Sequence, residues 1–410
     1  MANDPFLGKR RRLKILVLSD TYPWPARDGY RLRLDHVVAG LLEAGDVDLF
    51  AAIEPSPVPV GAKKPPRAIA RAETAPLFDR RRDIRLAVLT ATRPLPRRVL
   101  WRDWSSLQDR LALFVNGPYD IVWYSHVDSY LGLANPALGP AIVDFDNLED
   151  VVARAQLSAS TLHKPLRLRE IGKRLLDLRD IPLWTRAQRE IANRVACCVL
   201  CNDLDRARLG APRTAIVPNG YDDPGRPEED LPLGHVVVIV GLFRYGPNLS
   251  GAILFARKVL PRLRQLVPDA ELHLVGRHDG ALDELSGLVG VRLLGELADV
   301  AGELQAARVA VVPVLAGSGT RIKVLEALAY GVPIVTTSIG CEGIDVEPGE
   351  HVLVADDPAQ MAEACARLLK DDCAARRLRV AGRARFLSRY QWPDIQRQVA
   401  DLARAIASLG

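Results

Sequence analysis

Short runs of β-branched and aliphatic residues alternate with helix-length amphipathic stretches along nearly the whole chain, in two successive series. That alternation marks parallel βαβ units and constrains the fold more than any other feature. The first series predicts strands at Leu13–Leu18, Val47–Ala52, Ile84–Leu89, Ile121–Tyr124, Ala141–Phe145, Ala196–Cys201 and Ala215–Val217. Glu54 to Asp79, rich in Pro and Ala with several cations, reads as a mobile loop outside the sheet. Asn147 to Arg194 reads as mostly helical. The second series predicts strands at Val236–Val240, Glu271–Val275, Val291–Leu294, Val309–Val314, Ile334–Thr336 and Val352–Val354, with helices including Leu249–Leu266 and Thr320–Tyr330. Between the series, Gly220 to Asp230 holds two prolines, two glycines and five acids in eleven residues, which reads as a linker. A chain of 410 residues exceeds one ordinary core, so two open, doubly wound parallel-sheet domains flanking a cleft are expected. The last helical stretch is broken at Gln391-Trp392-Pro393, where proline ends one helix and starts the next.

The net charge of +5 is unevenly spread: residues 1–215 carry 34 Lys+Arg against 25 Asp+Glu, and residues 216–410 carry 21 against 25. A basic first half suits an anionic membrane surface or acceptor, or is a plain solvated, arginine-rich face. No nucleic-acid motif accompanies the charge, so nucleic acid is not expected as a partner. No apolar run approaches the roughly 18 residues of a membrane span, and no signal peptide is expected, so the sequence reads as cytoplasmic. Cys198 and Cys201 form a C-x-x-C with no second pair at finger spacing. The run RVACCVLC reads instead as a buried strand, and no metal is expected.

The chemistry concentrates at Val309 to Ile334, VAVVPVLAGSGTRIKVLEALAYGVPI. A short strand enters the turn Gly317-Ser318-Gly319, which opens into a helix carrying Arg321, Lys323 and Glu326. A helix N-terminus at a strand's carboxyl end presents free N–H groups and a positive dipole end, which suits phosphate. Two cations in the first turn call for an anion, and a carboxylate one turn later can accept from sugar hydroxyls. The spacing fits neither a Walker loop nor a dinucleotide fingerprint. The competing reading is a tight turn with Lys323 and Glu326 as a surface i,i+3 pair worth about 0.2–0.5 kcal/mol.

From Val236 the chain reads VVVIVGLFRYGPNLSGAILFARKVLPRLRQLVPDAELHLVGRHDG, and later VRLLGELADVAGELQAARVAVVPVLAGSGTRIKVLEALAYGVPIVTTSIGCEGI. With ILVLSDTYPWPARDGYRLRL, YDIVWYSHVDSY and VPNGYDD in the first half, this resembles the family 4 glycosyltransferases of GT-B architecture, over nearly the whole chain and in the family's order. The resemblance implies two Rossmann-like domains facing across a cleft: an acceptor-binding domain at 1–218, a nucleotide-sugar domain at 219–388, and a terminal helix at 389–410 crossing back to the first. It implies a retaining transferase moving a sugar from a nucleoside diphosphate donor to an unknown acceptor, without a cofactor or metal. A nucleotide-sugar epimerase and a non-catalytic nucleotide-sugar-binding subunit are the alternatives. Peripheral contact with the inner membrane face stays open through the basic first domain.

Residue by residue, Glu326 matches the second glutamate of the family's E-x7-E pattern and is implied to bind ribose. The first glutamate is replaced by Ser318, where the family contacts the transferred sugar. Ser318, Gly319 and Thr320 are implied donors to the sugar diphosphate. Arg244 keeps the position of a diphosphate-binding arginine, while Asn248 stands where the family has lysine, and Lys323 is expected to supply that missing charge. Asn248 as a helix N-cap is the structural alternative. Leu297 matches the segment whose backbone meets the base, and Gly276 shapes the base pocket. In the first domain, Gly29 stands in the loop that approaches the donor phosphates. His126 resembles the histidine that hydrogen-bonds the transferred sugar.

Overall fold

The computed structural model describes residues 11–26, 28–53, 65, 67–160, 168–225, 230–316 and 321–409. The chain divides into two compact units, one made of Met1–Asp150, Leu178–Pro218 and Pro393–Gly410, the other of Val151–Asp177 and Asn219–Trp392.

The first unit is built on seven strands: β1 (Leu13–Ser19), β2 (Gly45–Ile53), β3 (Arg71–Pro76), β4 (Ile121–Tyr124), β5 (Ala141–Phe145), β6 (Cys197–Leu200) and β7 (Thr214–Ile216). They form one sheet in the order β3-β2-β1-β4-β5-β6-β7, every pairing parallel. The central strands are covered on both faces, which is why Ile15, Leu16, Val17, Ile121, Val122 and Trp123 form unbroken, fully buried runs.

Two expectations in this unit are corrected. Ile84–Leu89 is not a strand but part of the helix Ile84–Thr92, capped by the Asp83 side chain, which accepts from the Leu86 amide. Leu86 and Thr90, four apart, turn inward while Ile84 and Val88 are exposed, so the run's period is helical. Strand β3 lies inside the segment read as a loop, paired with β2 from Asp48↔Arg71 to Ile53↔Pro76. It is a sheet edge, so it needs no apolar run, and it tolerates a proline at its end. The cysteine run behaves as expected: Cys197, Cys198 and Cys201 are buried, and burial pushes the Cys198 thiol up to about 12.

The helix Asp372–Arg389 ends before Gln391, and a second helix, Trp392–Ala407, follows. From Pro393 onward it belongs to the first unit. There Gln396 Nε2 meets His36 Nδ1 at 2.8 Å, and the Arg404 guanidinium donates to the Glu43 carbonyl at 2.6 Å. A Cβ at Gly40 would lie 2.5 Å from the Gln396 carbonyl oxygen, so a glycine is required for this close approach.

Among the described residues the second unit has six strands: β8 (Val236–Val240), β9 (Glu271–Val275), β10 (Val291–Gly295), β11 (Val309–Val312), β12 (Ile334–Thr336) and β13 (Leu353–Val354). The order is β10-β9-β8-β11-β12-β13, again all parallel. The expected helix at Leu249–Leu266 is longer and interrupted: Gly246–Leu254, a π turn at Phe255–Val259, then Leu260–Leu266. The wide turn sits just before Pro261, which cannot donate to the helical ladder. In each sheet the chain reverses its direction of build-out beside the first strand, between β1 and β4 and between β8 and β11. Doubly wound sheets bind ligands at the carboxyl ends of such strands.

Candidate functional site

In the second unit the carboxyl ends of β8 and β11 diverge around a small cleft. It is lined by Val240, Asn248, Gly251, Pro313 and Val314, with Lys323 reaching in from the helix Ile322–Ala329. The approach of the surrounding chain is close: a Cβ at Gly251 would stand 2.3 Å from the Pro313 carbonyl oxygen. A Cβ at Gly241 would lie 3.1 Å from Lys323 Cε, 3.3 Å from Nζ and 3.5 Å from Asn248 Nδ2. Lys323 and Asn248 therefore converge on the backbone that leaves β8.

Lys323 is half-buried and makes no ion pair or hydrogen bond among the described residues. Burial pushes its pKa down to about 8, with Glu326 opposing and Arg321 adding to the shift. An ammonium held this way is partly desolvated, with no counter-charge in contact among the described residues, which is the condition an incoming anion relieves. Glu326 does not pair with it. Instead the Tyr221 hydroxyl donates to Glu326 Oε1 at 2.7 Å. Burial raises the Glu326 pKa, opposed by the Tyr221 bond and by Lys323. The surface i,i+3 pair is thus absent, and the two charges serve separate points.

Three glycines terminate neighbouring strands at this end. Gly276 has φ 136°, and a Cβ there would fall 1.9 Å from the Gly241 carbonyl oxygen. Its N–H donates to the Gly295 carbonyl at 2.6 Å, which brings the loop holding Leu297 alongside. Leu297 itself is partly exposed. Asn248 is not an N-cap: the cap of Gly246–Leu254 is Tyr245, and the Asn248 amide donates to the Leu242 carbonyl at 2.9 Å. Arg244 is directed to Asp279, with Nε 3.0 Å from Oδ2, and Asp279 also takes Arg277 at 2.8 Å. Ser318, Gly319 and Thr320 lie outside the described residues.

In the first unit Gly29 opens the helix Gly29–Ala44, whose cap is Asp28. The next residue, Tyr30, donates from its hydroxyl to Asp20 Oδ1 at 2.9 Å, and its ring stands edge-on to His126 at 5.5 Å. The ends of β1 and β4 thereby bring the Gly29 turn and His126 together. His126 caps the helix Val127–Leu133. Its Nδ1 is 2.8 Å from Asp128 and its Nε2 is 3.0 Å from Glu149. Arg98 bridges the same two carboxylates, at 2.8 Å to Glu149 and in closer contact with Asp128, and stacks over Trp184. His126, Arg98, Asp128 and Glu149 so form a closed ring of contacts, with the two carboxylates buried and the Arg98 side chain reaching the surface. Burial alone would lower the histidine pKa, but Asp128 and Glu149 hold it well above the usual imidazole range.

Both ring nitrogens of His126 are thus engaged by carboxylates in this arrangement. Asp20, His126 and Asp128 also have ligand atoms mutually within 4.8 Å. A pH effect follows. The His126 pKa is raised on folding, so its stabilisation is complete below the unfolded value near 6.5 and fades as pH climbs toward the folded one. The melting temperature of the wild type should therefore fall more steeply than that of His126→Gln as pH rises above about 6.5, read by calorimetry.

Residues 234–371 match the family described as Glycosyl transferases group 1. The phosphatidyl-myo-inositol mannosyltransferase of Mycobacterium leprae is 30% identical over 185 residues, 43% of this chain and 48% of that protein. The protein of the same description from Mycolicibacterium smegmatis is 29% identical over 238 residues, 54% and 59% of the two chains. The matches thus span about half the length of these relatives. Anabaena HepE, solved with UDP and glucose, superposes with a TM-score of 0.63 at 14% identity, over 96% of this chain and 100% of HepE. WaaG, a glycosyltransferase of lipopolysaccharide biosynthesis, superposes at 0.57 and 15% identity, over 95% and 99%. The fold is that of the GT-B glycosyltransferases. The segment that matches the Glycosyl transferases group 1 family, residues 234–371, holds Lys323 and Glu326.

Tyr221 is the residue that sequence reasoning missed. It sits in a stretch that looks like a linker, and its partner lies 105 positions away.

Proposed function

We propose that the chain is a retaining glycosyltransferase using a nucleoside diphosphate sugar, with the donor held at the carboxyl ends of β8 and β11. The observation that carries this is the pairing of an unneutralised, half-buried Lys323 with a separately held carboxylate, Glu326, on one helix. Lys323 meets the diphosphate, and Glu326 accepts from the ribose hydroxyls. The base is placed against the Leu297 loop, which the Gly276–Gly295 hydrogen bond holds beside the end of β9.

In the reaction the bond from the anomeric carbon to the β-phosphate oxygen breaks, and a bond to an acceptor hydroxyl oxygen forms on the same face. The hydroxyl proton passes to the departing phosphate, so no protein base is needed. Lys323 and the N-terminal end of its helix stabilise the charge on the leaving diphosphate without a metal ion. Relatives described as phosphatidyl-myo-inositol mannosyltransferases favour an anionic lipid-linked acceptor, which the basic first half of the chain also suits. No helix among the described residues is long and apolar enough to cross a membrane, so contact with such an acceptor is peripheral in this reading.

The test is release of nucleoside diphosphate from a panel of UDP-, GDP- and ADP-sugars, with and without phosphatidylinositol vesicles, followed by NMR of the product's anomeric proton. Acceptor-stimulated release and a retained configuration are expected. Isomerisation of a nucleotide sugar without any acceptor, or inversion, would overturn the reading.

A further inference from the structure

Resting on the donor-site reading above, we propose that Tyr221 is a positioning residue for Glu326, holding one carboxylate oxygen so that the other faces the ribose, and that this contact sets the preference for ribonucleotides over deoxyribonucleotides.

A carboxylate has two acceptor oxygens, and the last torsion of a glutamate side chain is broad unless something holds it. Glu326 projects from one turn into the helix Ile322–Ala329, where its own helix provides no partner for Oε1. The Tyr221 hydroxyl provides one at 2.7 Å, which fixes the carboxylate plane and leaves Oε2 without an assigned partner. A hydroxyl can hold an oxygen this way only if its own ring is fixed, and here it is fixed from several sides.

The Tyr221 amide donates to the Tyr390 carbonyl at 2.9 Å, and Tyr221 forms a parallel bridge with Gln391. Its ring stands edge-on to Tyr330, which closes the same helix, with centroids 6.4 Å apart. The following residues are pinned as well: the Gly225 amide donates to Asp223 Oδ1 at 2.8 Å, Arg383 donates to the Gly225 carbonyl at 2.8 Å, and Arg383 pairs with Asp223. What reads in sequence as the start of a linker is a rigid mount for one hydroxyl group. That mount lies on the segments where the chain leaves the first unit after Pro218 and returns to it at Pro393.

A ribose offers two vicinal hydroxyls, and a carboxylate turned edge-on to them distinguishes the ribo from the 2′-deoxy sugar. A freely rotating carboxylate follows whichever hydroxyl remains and discriminates less. Removing the Tyr221 hydroxyl therefore weakens binding of the ribonucleotide selectively. A purely structural role for the bond would weaken both nucleotides alike.

The experiment is calorimetric titration of the full chain with UDP, GDP and ADP, then of the tightest binder against its 2′-deoxy counterpart, in wild type, Tyr221→Phe, Glu326→Ala and the double variant. The wild type is expected to prefer the ribonucleotide by about tenfold or more. Tyr221→Phe, which keeps the ring, should narrow that preference to about threefold or less by weakening the ribonucleotide alone. It should add less than about twofold in the Glu326→Ala background. Donor KM should rise in Tyr221→Phe while kcat at saturating donor stays within about twofold, a split that a folding defect would not give. An unchanged preference in Tyr221→Phe, or an equal loss for both nucleotides, overturns the inference and leaves the donor site standing. A wild type that binds none of the three diphosphates overturns the donor-site reading and this inference together.

Discussion

Replacing Lys323 with alanine is expected to abolish most transfer while leaving the fold intact. A charge-assisted hydrogen bond to phosphate contributes about 1.5–3 kcal/mol, so nucleoside diphosphate affinity should fall by roughly 10- to 150-fold. Removing a charge aimed at a developing anion costs about 10²–10³ in kcat. The stability effect has the opposite sign. The Lys323 pKa is depressed to about 8 in the folded chain, below its ordinary value of 10.5. Below about pH 8 both states carry the charge and the folded one bears its desolvation. Between about 8 and 10.5 the unfolded state binds more protons, and stability rises with pH. The empty variant should therefore melt no lower than the wild type at pH 7. Wild-type diphosphate affinity should weaken from pH 7 to 9 as the ammonium deprotonates, and the variant should lose that dependence. Near-wild-type turnover in Lys323→Ala would remove this residue from the site.

The largest expected loss of stability lies in the first unit. Arg33 is 2% exposed and donates from Nε and Nη2 to the two oxygens of Asp144 at 2.9 and 2.8 Å, with Nη1 on the Val217 carbonyl at 3.0 Å. Burial alone would lower its pKa, but Asp144 more than offsets this and keeps the guanidinium charged. One side chain so joins the helix after β1 to the end of β5 and to the chain beyond β7. Arg33→Ala would strand a buried carboxylate beside Asp146, a loss of about 3–5 kcal/mol. For a unit of this size that corresponds to roughly 6–20 °C in melting temperature. The paired change Arg33→Met with Asp144→Leu removes both charges and should recover much of the loss, because the cost comes from the unpaired charge. Urea unfolding followed by tryptophan fluorescence reads both variants. Equal destabilisation by the single and paired changes would contradict this account.

What could be read from the sequence follows from how local each signal is. Central strands such as Leu13–Ser19 and Val236–Val240 are buried on both faces, so their residues announce them. The edge strand Arg71–Pro76 is partly solvated, carries charge and ends in proline, and so looked like loop. The run at Ile84 was too short for its period to separate strand from helix. In the site, Lys323 and Glu326 were legible because one helix carries both. The partners that decide their roles were not: Tyr221 meets Glu326 across 105 positions, and Arg33 meets Asp144 across 111. His126 was found as a candidate by its place after β4. Its engagement by Asp128, Glu149 and Arg98 depends on three further segments meeting at one strand end.

A nucleoside diphosphate sugar held at the ends of β8 and β11 by Lys323 and Glu326 is detected by titrating the full chain with UDP-, GDP- and ADP-sugars in a calorimeter, beside Lys323→Ala and Glu326→Ala. The expected result is one-to-one binding of at least one nucleotide sugar by the wild type, weakened tenfold or more in each variant, with all three proteins folded. Wild-type affinity retained in both variants, or no nucleotide sugar bound at all, would contradict it.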